Sequence, residues 1–153
     1  IGLAVFDADS STSYLETVIL PDTVIEIDGR AFDGQHITTI EFGNSLQKIG
    51  YSSFNDVRLT SLTLPDSLTY ISPGAFGGTD SIKHIKLSEN LEYIGSYAFH
   101  RNIITQLTIP DSVTYIGPEA FSSTTIKDLN LPELCVYYTN SFPSITITGG
   151  LLK

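Results

Sequence analysis

The chain has 153 residues, 41% of them apolar, enough to fill one continuous core. Seventeen acidic against eight basic side chains leave a formal charge of -9, which argues against nucleic acid or an anionic membrane surface as the main partner. No run approaches the roughly 18 apolar residues of a membrane span, so no membrane insertion is expected. Cys135 is the only cysteine and excludes an intrachain disulfide.

The chain opens on Ile1-Gly2-Leu3-Ala4-Val5-Phe6, which repeats the pattern of Ile94-Gly95-Ser96-Tyr97-Ala98-Phe99 and Ile116-Gly117-Pro118-Glu119-Ala120-Phe121. Residues 1–14 therefore read as the end of a preceding repeat plus a loop, as in an excised or processed fragment. In that loop Asp7-Ala8-Asp9-Ser10-Ser11 has the opening of a calcium loop. Thr12 and Val18 stand where its Gly and Glu belong, so it is an ordinary loop.

From residue 15 to residue 142 the chain repeats six times. Phe32, Phe54, Phe76, Phe99, Phe121 and Phe142 lie 22, 22, 23, 22 and 21 residues apart, a period that signals a stacked solenoid. Each repeat opens with apolar-x-x-apolar-x-apolar, as in Ile104-Thr-Gln-Leu107-Thr-Ile109. Its alternation and Thr content predict a short strand with one buried face. Strands running the same way in every repeat make a parallel sheet. Pro21, Pro65, Pro110 and Pro132 end the strand and are followed by acidic turn residues.

A second apolar pair, such as Leu68 and Ile71 or Val113 and Ile116, lines the interior on the return path. Ser72-Pro73 and Gly117-Pro118 then fit an N-cap and first helical residue, so a single helical or 3₁₀ turn is predicted to carry Ala-Phe inward. Cys135, at the place of Val113 one repeat earlier, is expected to be a small buried hydrophobe. Residues 143–153 form a closing edge strand and tail, with Ile145 and Ile147 at its fourth and sixth positions. No repeat buries its apolar face alone, so neighbours stabilise one another and an open end invites end-to-end self-association.

The string L-x-x-L-x-L-P-x-x-L-x-x-I-G-x-x-A-F, carried by Leu59, Leu62, Leu64, Pro65, Leu68, Ile71, Ala75 and Phe76 and again from Ile104 to Phe121, resembles the bacterial BspA-like, or Treponema-type, leucine-rich repeat. The resemblance implies a leucine-rich-repeat solenoid with a parallel β-sheet on the concave face and short helical or 3₁₀ turns and loops on the convex face. It implies a single such solenoid over residues 1–153. It also implies an extracellular or cell-surface protein, and an adhesion module for a host extracellular-matrix or cell-surface protein or a glycan.

Side-chain alternation gives the concave face three columns. They are Glu16, Thr38, Thr60, Lys83, Thr105, Lys127, then Thr17, Thr39, Ser61, His84, Gln106, Asp128, then Ile19, Glu41, Thr63, Lys86, Thr108, Asn130. Lys83, His84 and Lys86 make the one basic spot, either a contact for an acidic partner or a solvated cluster balanced by Glu41 and Asp128. Ser61, His84 and Asp128 share a column but not a hydrolase geometry. Gln106 separates His84 from the acid, and a flat sheet offers no oxyanion donors in a dry pocket.

Tyr70, Tyr93, Tyr115 and Tyr137 are expected to stack at one repeat position on the return path, as a contact ladder or as rings that cover each other. The acids Asp22, Asp66, Glu89, Asp111 and Glu133 are turn residues before they are cation ligands. No catalytic, cofactor or metal motif occurs. The expectation is a non-catalytic recognition module holding a protein or glycan through Lys83, His84 and Lys86 or the flank of Tyr70, Tyr93 and Tyr115. The alternative is a structural spacer that projects another domain.

Overall fold

The computed structural model describes residues 14–79, 82–132, 135–137, 140–142, 146–147 and 151–152, with side chains at all of these except 137 and the last four. The expected loop at 7–14 and the hexamer 1–6 lie outside them, save Tyr14. The described chain is a parallel solenoid whose turns bond to one another along three lines.

The first line is the concave sheet. Its strands are β1 (Thr17–Ile19), β3 (Thr39–Glu41), β5 (Ser61–Thr63), β7 (His84–Lys86), β9 (Ile103–Thr108), β11 (Thr125–Asn130) and β13 (Thr146–Ile147). All pairs are parallel, and the register sets Thr17 beside Thr39, and Ser61, His84, Gln106 and Asp128 in one row. β14 (Leu151–Leu152) also pairs with β11.

The second line, on the return path, is a six-stranded parallel sheet. It comprises β2 (Glu26–Ile27), β4 (Lys48–Ile49), β6 (Tyr70–Ile71), β8 (Tyr93–Ile94), β10 (Tyr115–Ile116) and β12 (Val136–Tyr137). Two residues per strand suffice because each inner strand is clamped by copies of itself on both sides.

The third line corrects the predicted helical turn: the described residues contain no helix. Alternate N–H groups on the convex side donate to the next repeat, as Gly74 to Ser96 (2.8 Å), Phe76 to Ala98 (2.8 Å) and Gly78 to His100 (2.9 Å). Those donors are therefore not available for a helical ladder. Two residues on either side of the inward Phe the backbone is left-handed, at Arg30, Ser52, Tyr97 and Glu119 before it and Asp56, Arg101 and Ser123 after it, with Gly at 34, 74 and 78. A left-handed residue stops a right-handed helix. Pro73 accordingly precedes the left-handed third residue of a Ser72–Ala75 turn, closed by Ala75 N to Ser72 O at 3.3 Å, and is not a first helical residue.

Between the three lines lies the core. Phe32, Phe54, Phe76, Phe99, Phe121 and Phe142 stack face to face with centroids 5.0 to 5.5 Å apart. The aliphatic columns of both sheets surround them. Beneath the Phe column runs a row of buried polar side chains that the repeat pattern did not reveal. Asn102 Nδ2 donates to the carbonyls of Phe76 (3.1 Å) and Phe99 (3.0 Å), Thr79 bonds to Asn102 Oδ1, and Thr124 Oγ1 donates to Phe99 O (2.8 Å).

Three expectations fail on register near the end, where the Phe step shortens to 21 residues. Tyr115 pairs with Val136, and Ile116 with Tyr137, so Tyr137 leaves the tyrosine row and Val136, 64% exposed, takes its place. Cys135 then falls beside Thr114, and it is half-buried against the core rather than fully enclosed. Burial pushes its thiol pKa up. In the closing strand Ile147 pairs with Ile126 and Leu151 with Leu129, so Ile147 opens that strand instead of ending it. Ile145 lies outside the described residues.

Candidate functional site

The concave sheet is not uniform. Where a strand ends in Pro, the residue before it zips to the next strand: Leu20 N donates to Glu41 O (2.9 Å), Leu64 N to Lys86 O (3.0 Å) and Ile109 N to Asn130 O (3.0 Å). A residue before Pro is held extended, which aims its N–H along the sheet. Phe42 and Leu87 precede Gly43 and Ser88 instead, and neither N–H finds an acceptor among the described residues.

These two turns lean onto the preceding repeat. Asn44 N donates to Asp22 Oδ1 (2.7 Å) and Asn90 Nδ2 to Asp66 O (2.9 Å), while a Cβ on Gly43 would meet Pro21 O at 2.3 Å. The sheet thus falls into the pairs β1–β3, β5–β7 and β9–β11. No ladder joins β3 to β5, and β7 meets β9 at the single pair His84–Gln106. The inward Ile40 and Ile85 are only half-buried at these splits, whereas Leu62 and Leu107 at the same register are 2% and 1% exposed. The second split opens a cleft of about 220 Å³ lined by Ile85, Lys86, Leu87, Glu89, Gln106, Thr108 and Pro110.

Beside that cleft the structure gathers the basic residues expected from the sequence. Lys83, His84 and Lys86 are exposed on and beside β7, the second strand of the β5–β13 run. Neither Glu41 nor Asp128 forms an ion pair with them; among the described residues the ion pairs are Arg30 with Asp33 and Lys48 with Glu26. Ser61 sits beside His84, and Gln106 separates His84 from Asp128, so no acid orients that imidazole.

On the flank Tyr70, Tyr93 and Tyr115 stack with centroids 4.3 and 4.6 Å apart and planes within 5°. They are half-buried, each covering the next. Loss of hydration pushes the Tyr93 pKa well up, with hydrogen bonding to Tyr70 adding to it. The row continues through Lys48 and Glu26, whose ion pair at 2.6 Å raises the Lys48 pKa. Among the described residues no group of three or more His, Cys, Asp or Glu can hold a metal ion. Asp22 spends its carboxylate on the next turn. No helix of the described residues is long and apolar enough to cross a membrane.

A parallel sheet on one face, one inward Phe per turn and a 22-residue step define a leucine-rich-repeat solenoid. The chain belongs to the BspA type leucine rich repeat region family, which it matches in six copies over residues 7–127. It is similar to the crystal structure of the pneumococcal vaccine antigen PcpA, with a TM-score of 0.72 and 28% identity over 87% of this chain and 33% of that one. A leucine-rich repeat protein from Bacteroides ovatus matches with a TM-score of 0.48 and 18% identity, over 80% of this chain and 44% of that one. The chain therefore spans about a third of PcpA's length and less than half of the Bacteroides protein's. No curated protein matches it. Leucine-rich repeats of this kind generally mediate protein interactions, and that coarse role holds for this family.

Proposed function

We propose that this solenoid is a non-catalytic recognition module of a cell-surface or secreted protein, holding a partner protein on its concave sheet. The observation that carries this reading is the exposed trio Lys83, His84 and Lys86, which lacks an acidic counterpart among the described residues on an otherwise acidic molecule. Exposed basic side chains outside any described ion pair are available to an acidic patch on a partner, where electrostatic complementarity speeds association and fixes register. The flank of Tyr70, Tyr93 and Tyr115 offers a second contact surface, large in area and polar at its tips. Similarity to a pneumococcal vaccine antigen supports the extracellular setting, and there a host matrix or cell-surface protein is the natural partner.

The test is a binding screen of the purified chain against extracellular-matrix proteins and host-cell surfaces, repeated with Lys83, His84 and Lys86 changed to Ala. A saturable hit whose affinity falls roughly tenfold or more in the triple variant, and falls with salt, supports the concave face. A hit weakened instead by Tyr93→Ala moves the contact to the flank. A folded chain that binds nothing supports the spacer reading.

A further inference from the structure

We propose that the split between β7 and β9 is a receptor slot for a primary carboxamide, the side chain of an Asn or Gln on the partner protein; this rests on the concave-face reading above. The slot is the place of a bond that other repeats make. The Leu87 N–H, on a residue 3% exposed, has no acceptor among the described residues. Its counterpart across the split, the carbonyl of Thr108, receives no described donor, although Glu41, Lys86 and Asn130 all accept at the equivalent place. The orphan donor and the orphan acceptor thus belong to two residues that line one cleft of about 220 Å³. Native structures rarely leave such groups unpaired without a reason.

The chemistry of the missing bond selects the occupant. A carboxamide presents an acceptor oxygen and a donor nitrogen on one carbon, so its oxygen takes the Leu87 proton while its nitrogen donates to the Thr108 carbonyl. A carboxylate has no donor and sets its second oxygen against that carbonyl. A peptide unit is trans and points its N–H and C=O in opposite directions. An aliphatic side chain leaves both groups orphaned. Lys86 and Glu89, of opposite charge, both line the cleft, which favours a neutral guest, and the half-buried Ile85 supplies an apolar floor for its methylenes. At the other split, between β3 and β5, the larger Phe42 ring stands edge-on to Phe54 at 5.8 Å.

The experiment is an amide NMR titration of the whole chain with the free tripeptides Gly-Gln-Gly, Gly-Glu-Gly and Gly-Leu-Gly. Gly-Gln-Gly is expected to shift the Leu87 amide proton and the Thr108 carbonyl carbon saturably. The other two should bind about tenfold or more weakly, as loss of one buried hydrogen bond implies. Ser88→Pro, which places the pre-proline restraint on Leu87, should close the split and abolish the response. If that variant does not fold, Ile85→Phe fills the slot to the same end. A Leu87 amide that no peptide moves, or that all three move equally, overturns the proposal. If the peptides shift only Lys83 and His84 resonances, the slot falls and the concave-face reading stands. If no peptide and no screened protein touches the face, both fall.

Discussion

Two buried polar residues show how differently the same solenoid treats hydroxyls and amides. Ser53 occupies the position before the inward Phe that is Ala at 31, 75, 98 and 120, and its hydroxyl is fully buried with no hydrogen-bond partner. Ser53→Ala should therefore raise stability by about 1 kcal/mol, seen as a higher urea midpoint, because it removes a desolvated hydroxyl and loses no bond. Asn102 is the opposite case. It is 1% exposed and satisfies carbonyls of two successive repeats. Asn102→Ala should cost about 2 kcal/mol by leaving the Phe76 carbonyl buried without its donor, while Phe99 O keeps Thr124 Oγ1, and the same denaturation measurement decides it. In the sequence Ser53 shows only as a Ser where four other repeats have Ala, and nothing in the repeat pattern marks Asn102. Small polar residues after a Phe read as turn chemistry, and only the stacking of repeats buries them. His84 and Lys86 were legible because strand alternation brings them to one face, and Lys83 because it directly precedes that strand.

At the scale of strands, alternation and period fixed which residues point outward but not which neighbours bond. The columns of the concave face follow the 22-residue step, and the register confirms them from Ser61 to Asp128. The splits after β3 and β7 depend on whether Pro follows the strand, a steric matter whose effect appears only when the next turn is in place. Tyr137 was placed by a 22-residue step where the repeat takes 21, and one residue of slip moves a strand residue to the other face.

The tyrosine row makes its own prediction. The Tyr93 pKa is raised above the unfolded value of about 10, so the folded state keeps that proton longer than the unfolded chain does. The corresponding stability is fully present below about pH 10 and is lost as pH climbs toward the folded pKa. Spectrophotometric titration should show Tyr93 ionising last, together with unfolding, and Tyr93→Phe should move the alkaline transition upward.

At the scale of the whole molecule the chain is a one-dimensional stack, in which each inner Phe of the column stacks on the rings above and below. Phe76→Ala, between two such neighbours, should cost about 3 to 5 kcal/mol. Phe142→Ala, on a half-buried ring at the last described turn, should cost clearly less. Equal losses in urea unfolding would mean that the Phe column is not the continuous spine described here. The sequence by itself determined the repeat, the parallel solenoid and the outward columns, because each follows from the spacing of apolar residues along one strand-and-return unit. Only the tertiary structure decided the absence of helix among the described residues, the buried polar row, the register of the last repeat and the two splits in the concave sheet. All four depend on where one repeat's backbone donors meet the carbonyls of the next, and a repeat read alone has no neighbour to bond.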